Sequence, residues 1–326
     1  MTRQNPSRRA FRGAIVAVAL SLATSACAFD FALIGDTPYN PQDSLALLRM
    51  IPYINRAKVE FVLHAGDFKG GSQPCSDALF ESRKSMLDLF QHPLILVPGD
   101  NDWTDCHRPG AGAWAPLERL AKLRALFYSP MERSLGTGTM AVESQARERR
   151  YAEFPEHLRW QRDGVHFATL HIVGSNNGTK DFEQRTAADD EEVVRRTAAA
   201  LDWMRAAFAR AQQQHAAGLL LAIHANPGFE AHHDSTFRAA YEEFRTVLQQ
   251  QVISFDKPVM LVHGDSHYFR IDKPLTGPSG RRLDLFTRVE TFGVPHNHWL
   301  RVGVDPQDPM VFRVRQQIVP ENIQRN

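Results

Sequence analysis

Apolar runs in this chain stop abruptly at a carboxylate or an imidazole. Phe31-Ala32-Leu33-Ile34 leads into Gly35-Asp36, Phe61-Val62-Leu63 into His64-Ala65-Gly66-Asp67, and Leu94-Ile95-Leu96-Val97 into Pro98-Gly99-Asp100. Leu219-Leu220-Leu221-Ala222-Ile223 ends at His224, and Val259-Met260-Leu261-Val262 runs into His263-Gly264-Asp265-Ser266-His267. Such short, continuous runs read as strands covered on both faces. The first three strands are expected at residues 29–36, 59–63 and 94–97. Helical spacing intervenes at residues 41 or 44 to 55, 77–90, 117–127, 189–214 and 237–248. Strand–helix alternation of this kind predicts a partly parallel sheet. Arg162-Asp163-Gly164 predicts a hairpin turn with a strand over 165–173 behind it. Strand-like runs at 282–289, 299–302 and 311–314 have no helices between them and predict an antiparallel portion. Residues 129–157 fit neither period and read as an insertion near the site or a solvated face. No repeat is visible, so 29–326 reads as a single domain.

The strand ends carry the chemistry. Open α/β sheets place ligands beyond the carboxyl ends of their strands. Five such ends, brought together, would gather hard oxygen donors and imidazoles suited to divalent metal ions. Asp36, Asp67, Asp100, His224, Asp265 and His267 are the candidate ligands. A lone Gly-Asp is also a common turn, so the weight lies in the ordered set. His64 and His263 stand beside it, as groups that orient a ligand carboxylate or as satisfied core histidines. Asn176 and Asn177 could reach the cleft or simply form a turn. His171 reads as structural. Trp103 is either a substrate platform or packing, and His232-His233 and His296-Asn297-His298 read as loop residues.

Composition narrows the classes. The chain has 326 residues, 43% of them hydrophobic and 23% charged, enough for one large core or two modest ones. Arg3, Arg8, Arg9 and Arg12 precede an apolar stretch over 13–22, and Ala26-Cys27-Ala28 fits a small-x-small cleavage site. Residues 1–28 therefore read as a signal peptide, and the protein is expected to be exported, to a periplasm or outside the cell. Lipid attachment at Cys27 is the lesser alternative. No later apolar run reaches membrane-spanning length. Without residues 1–28, four arginines and no acid leave, so 34 basic against 37 acidic residues gives −3 instead of +1. That balance supplies no basic surface for a nucleic-acid backbone, so no dedicated nucleic-acid partner is expected. Cys75 and Cys106 each follow a Gly-Asp run and could pair in an oxidising compartment, but two cysteines are too few for a thiolate zinc site. No Gly-x-Ser-x-Gly elbow, dinucleotide fingerprint or P-loop is present.

Ordered along the chain, Gly35-Asp36-Thr37-Pro38, Gly66-Asp67, Gly99-Asp100-Asn101-Asp102, His224 and His263-Gly264-Asp265-Ser266-His267 resemble the motifs of calcineurin-like metallophosphoesterases over roughly residues 29–270. The resemblance implies a four-layer α-β-β-α sandwich with two mixed sheets and one or two divalent ions (Mn, Mg, Fe or Zn). It also implies that Asp67 bridges them, with Asp36 and His267 on one ion and Asp100, His224 and Asp265 on the other. The chain departs from the pattern at four places. Pro38 replaces a histidine ligand, Asp100 an asparagine, Asn101 a histidine that often assists catalysis, and Asp265 a histidine. Extra carboxylates make one half of the site harder, favouring Mg or Mn. Asn101 could orient a phosphate, His107 could protonate a leaving group, and Arg108 could clamp phosphate oxygens; a solvated polar loop is the alternative for His107 and Arg108.

The expected function is metal-dependent hydrolysis of a phosphoester by an activated water. Two alternatives stand beside it: a mononuclear hydrolase, because of Pro38, and a non-catalytic, metal-containing ligand-binding protein of the cell envelope. Substrate and oligomeric state are left open by the sequence.

Overall fold

Strand β1, Phe29–Ile34, lies at the centre of the first sheet of a computed structural model that describes residues 1–2 and 29–324. The expected export segment and Cys27 lie outside the described residues. The remaining strands are β2 (Val62–His64), β3 (Leu94–Leu96), β4 (Glu143–Ser144), β5 (Leu158–Arg162), β6 (Val165–Thr169), β7 (Gly218–Ala222), β8 (Val259–His263), β9 (Arg270–Asp272), β10 (Phe286–Glu290), β11 (Trp299–Val304) and β12 (Phe312–Gln317). One sheet has the order β12-β11-β1-β2-β3 and the other β4-β5-β6-β7-β8-β10-β9. In the first, β1, β2 and β3 are parallel while β11 and β12 run antiparallel. In the second, β6, β7, β8 and β10 are parallel, with antiparallel partners at both edges. Both sheets are mixed, as expected.

Burial explains the continuous apolar runs. Successive strand residues point to opposite faces. In β7, Leu220 and Ala222 belong to the core shared with β1 and β2, whereas Leu219 and Leu221 belong to a second core with Trp203, Phe208, Phe244 and Leu248. Those last four lie on the helices Ala187–Gln213 and Glu242–Phe255. The sheets meet through aromatic rings: Phe61 lies edge-on to Trp160 and Phe167 at 5.4 and 5.6 Å, and Phe31 edge-on to Phe167 at 6.0 Å. Helices Pro41–Arg56, Asp77–Leu87 and Pro116–Phe127 contribute Leu47, Ile54, Phe80 and Leu123 to the first core.

Caps set the helix starts. Asn40 accepts the Asp43 N–H at 2.9 Å with Pro41 at the first helical position, and Thr186 forms a reciprocal capping box with Asp189. The box moves that helix's start to Ala187, two residues before the periodicity indicates. Periodicity over 237–248 misreads a break. A short turn, Thr236–Ala239, stops, and the helix proper runs Glu242–Phe255. Buried Tyr241 sits between them with its hydroxyl on Val173 O at 2.9 Å. The late strands are only partly antiparallel. β9 folds out as a sheet edge, and β10 inserts between it and β8, parallel to β8. Residues 129–157 bridge to Leu94 through Leu135 and contribute β4. Among the described residues no helix is long and apolar enough to cross a membrane.

Candidate metal centre

The parallel strands β1, β2, β7 and β8 and the loop after β3 deliver their terminal residues to one buried place. Ligand atoms of Asp36, Asp67 and His224 lie within 4.8 Å of one another, as do those of Asp100, His224 and Asp265. His224 Nε2 is 3.1 Å from Asp100, 3.5 Å from Asp67 and 4.0 Å from Asp265, and His267 Nε2 is 3.5 Å from Asp36. The six sequence candidates therefore come together. Both imidazoles are turned inward by their far nitrogens: His224 Nδ1 pairs with Ala65 O at 2.9 Å and His267 Nδ1 with Val294 O at 2.8 Å. That assigns Nδ1–H as donor and leaves Nε2 facing the carboxylates.

Backbone strain marks the same residues. Asp36, Asp67, Asp265 and His267 have φ of 51°, 59°, 76° and 59°. Left-handed conformations cost an L-residue about 1–2 kcal/mol each and persist only where surroundings enforce them. Asp102 enforces part of this: its carboxylate accepts the N–H groups of Gly99, Asp67 and Phe68 at 2.7, 3.0 and 2.9 Å, tying two motif loops together. His64 ties the first loop, its Nε2 on Thr37 O at 3.0 Å; burial holds its pKa at about 4, so it stays neutral. Ser175, Asn176 and Asn177 are also left-handed. Arg196, fully buried, holds that turn by donating to Asn177 Oδ1 and O at 2.6 and 2.9 Å. The turn places Ser175 Oγ 2.9 Å from Asp100 and 2.8 Å from Asp105.

Electrostatically the cluster calls for positive charge. Burial pushes Asp36 up to about 6 and Asp67 well above its usual range; burial, then the neighbouring Asp100 charge, raises Asp265 to about 6. Burial also raises Asp100, but the hydrogen bond and charge of His224 outweigh it and hold Asp100 at about 2. Burial lowers His224, yet Asp67, Asp100, Asp265 and Asp36 together raise it well above 6.5. One imidazolium cannot offset four carboxylates, so the donor set fits divalent cations. The floor is cut to match. A Cβ on Gly99 would stand 2.0 Å from Asp67 Oδ1, and one on Gly174 would stand 2.6 Å from Asp100 Oδ2 and 2.8 Å from Asp265 Oδ1. Gly99→Ala is therefore expected to lower divalent-metal affinity at least tenfold while leaving the far-ultraviolet circular dichroism unchanged, as calorimetric titration would read.

The loop candidates fall in different places. The Asn101 side-chain amide donates to Asp67 Oδ2, and its backbone N–H reaches Asp67 Oδ1 at 3.0 Å. Arg108 pairs with Asp105 at 2.5 Å and reaches Ser175 Oγ at 3.5 Å, one residue from Asp100. His107 turns Nδ1 to Thr104 O at 2.7 Å and stacks on Phe182 at 4.3 Å; among the described residues it has no recorded hydrogen bond to the cluster. Trp103 is buried and donates to His171 Nε2 at 3.0 Å, which makes it packing, not a platform. His171 Nδ1 meets Glu156 at 2.7 Å, and Arg124 closes that buried network. Cys75 and Cys106 form a disulfide across a sequence separation of 31 residues.

Tyr39 escaped the sequence reading. Its hydroxyl donates to Asp67 Oδ2, lies 3.4 Å from Asp36 Oδ1 and 3.0 Å from His267 Nε2, and accepts from Asn101 Nδ2 at 3.2 Å. Its signal was proximity: an oxygen-bearing side chain one residue beyond Pro38, in the loop that lacks a histidine.

A sequence profile described as calcineurin-like phosphoesterase matches residues 29–269. The chain belongs to that family. No curated protein sequence matches the chain significantly. Among solved structures, a purple acid phosphatase from yellow lupin seeds aligns at 10% identity and a TM-score of 0.46, covering 90% of this chain and 54% of its own. This chain thus spans about half of that protein's length. Phosphopantetheinyl hydrolase from Mycobacterium tuberculosis aligns at 12% identity and a TM-score of 0.41, covering 91% and 98%. The Cryptosporidium parvum vacuolar protein sorting 29 aligns at 11% and 0.33, covering 89% and 96%. The family assignment rests on the sequence match.

Proposed function

We propose that this calcineurin-like phosphoesterase hydrolyses a phosphoester at the cluster of Asp36, Asp67, Asp100, His224, Asp265 and His267, with two divalent cations as its cofactors. The observation that carries this reading is the convergence of two donor groups that share His224. His224 has one nitrogen to give, to one ion, but each group has carboxylates of its own, Asp36 and Asp67 in one and Asp100 and Asp265 in the other, which favours two ions over one. Tyr39 supports the half that Pro38 leaves short of a ligand. A bound divalent cation supplies Lewis acidity, making water a nucleophile near neutral pH and offsetting charge on phosphoryl oxygens.

The chain's own residues orient and bind. Asn101 fixes Asp67 through two donors and turns no proton over itself. The Ser175 hydroxyl and the paired Asp105–Arg108 side chains border the Asp100 side. Arg108 is part-exposed and carries the guanidinium best placed to hold phosphate oxygens. His107 lies in the same loop and would act on a leaving group only by swinging off Phe182.

We further propose that the protein is exported. The buried Cys75–Cys106 disulfide supports an oxidising compartment, and the Arg-rich, apolar N-terminal sequence supports a signal peptide.

The test is a panel of phosphomonoesters and phosphodiesters assayed with Mg, Mn, Fe and Zn, paired with metal analysis. Turnover that needs metal at two ions per chain is expected. Metal bound without turnover on any ester would overturn the hydrolase reading. Tyr39→Phe is expected to retain the fold and to weaken binding of one of the two ions about tenfold or more, as metal titration would show.

A further inference from the structure

The loop between β7 and the short turn Thr236–Ala239 carries His232, His233 and Asp234 in succession. Each offers one ligand atom, and the three atoms lie within 4.8 Å of one another. Asp234 joins the group: its Oδ2 is 3.6 Å from His232 Nδ1, and its Oδ1 is 3.1 Å from His233 Nε2. Two donors on one tetrahedral zinc, each about 2.0–2.2 Å from the metal, stand about 3.3–3.6 Å apart. Only a small side-chain rotation separates the observed spacing from a shared coordination shell.

Local structure holds the donors on one side. The Ser235 N–H donates to His232 O at 3.0 Å and closes a turn over 232–235, while Ser235 Oγ accepts the Arg238 N–H at 3.1 Å. The Asp234 N–H donates to His232 Nδ1 at 3.4 Å, which puts the Nδ1 lone pair on the Asp234 side. That long bond is the one an ion would replace. The two imidazole rings lie against each other with centroids 4.3 Å apart. Among the described residues no arginine or lysine pairs with Asp234, so no side-chain cation competes for its charge. Glu230, earlier in the loop, is taken by Arg270 and Arg288. The three side chains are 72%, 76% and 74% exposed, so an ion reaches them freely and keeps open positions for water.

We propose that His232, His233 and Asp234 form a separate metal site, which takes one zinc or copper(II) ion with water completing its shell. Two imidazoles and one carboxylate make a nitrogen-rich set, suited to these ions and not to magnesium, which demands oxygen ligands. The carboxylate-rich centre built on Asp36, Asp67, Asp100 and Asp265 has the opposite character. Among the described residues none of the three side chains has a recorded contact with that centre, so this site stands whether or not the phosphoesterase reading does.

The experiment uses the full, untagged chain, dialysed to equilibrium against zinc and separately against magnesium. Bound metal is counted for wild type, for His232→Ala combined with His233→Ala, and for Asp234→Asn. Wild type is expected to hold one zinc ion per chain more than the double histidine variant, half-filled at or below about 10 μM. Asp234→Asn should weaken that ion at least about tenfold. The magnesium count should be the same in all three, and turnover should stay within about twofold. Equal zinc counts in wild type and the double histidine variant would overturn the proposal, as would a magnesium count that falls together with the zinc. A double variant that loses zinc and turnover at once would place these histidines in the catalytic centre, and the separate site would be wrong. Absence of turnover from every sample, wild type included, would count against the phosphoesterase reading alone.

Discussion

Asp67→Asn is expected to reduce kcat about a thousandfold, roughly 4 kcal/mol of transition-state stabilisation at about 1.4 kcal/mol per tenfold. Asp67 belongs to the Asp36 half of the cluster and feels the charges of both Asp36 and Asp100. It shares a donor group with Asp36 and His224, lies 3.5 Å from His224 Nε2, and accepts hydrogen bonds from Tyr39 and Asn101. Asparagine keeps the volume and one accepting oxygen but loses the charge that would hold two cations together. Metal content should fall from two ions per chain to one or none. The fold should survive, because Asp102 receives three of the backbone N–H groups that join the loops, and asparagine keeps an oxygen for the one Asp67 receives from Asn101. Kinetics, metal analysis and circular dichroism on the same preparation read all three. If Asp67→Asn kept turnover within tenfold of wild type, the proposed centre would be wrong. If wild type bound metal but turned over nothing, and Asp67→Asn only lost the metal, the chain would be a metal-containing binding protein.

How much of this the sequence carried follows from what fixes each feature. The strand runs were legible because both faces of β1, β2, β7 and β8 are covered, so Phe31 to Ile34, Val62 to Leu63, Leu219 to Ala222 and Val259 to Val262 are all apolar before the chain turns polar. The six acid and imidazole positions were legible for the same reason: the polar residue that ends a buried run has to face something. Tyr39, Asp102 and Ser175 were not. Their roles depend on where a loop returns in space, over separations of 28 residues for Tyr39 to Asp67, 35 for Asp102 to Asp67 and 75 for Ser175 to Asp100. No local period records such returns. Trp103, left by the sequence as either platform or packing, is packing: it is buried and donates to His171. The parallel setting of β10 was hidden because β9 precedes it without a helix, and strand polarity follows from which edge a hairpin occupies. The 237–248 periodicity failed at Tyr241, where a hydroxyl bonded to Val173 and Asn177 outweighs helix continuity. Sequence pattern sees burial, in short, and long-range hydrogen bonding overrides it where the site is built.

Breaking the Cys75–Cys106 disulfide is expected to cost about 3.5 kcal/mol of stability and to lower the thermal midpoint by about 5–10 °C, from the chain entropy released by a loop of this length. Both cysteines are fully buried, and the bond joins the segment after Asp67 to the turn after Asp100. Its sulfurs stand 4.0 and 3.9 Å from Asn101 O, the same carbonyl that Lys69 Nζ holds at 2.6 Å. Loosening it should therefore free Asn101, which orients Asp67, and weaken metal binding as well as stability. Burial also makes the bond slow to reduce in the folded state, since a thiolate must reach sulfur. Reductant alone should leave the native protein largely oxidised at room temperature and act once the chain begins to open on heating. Cys75→Ser with Cys106→Ser gives the equilibrium cost directly by denaturant titration. A double variant with the wild-type midpoint and wild-type metal affinity would show that the link neither stabilises the fold nor steadies the loop beneath Asn101.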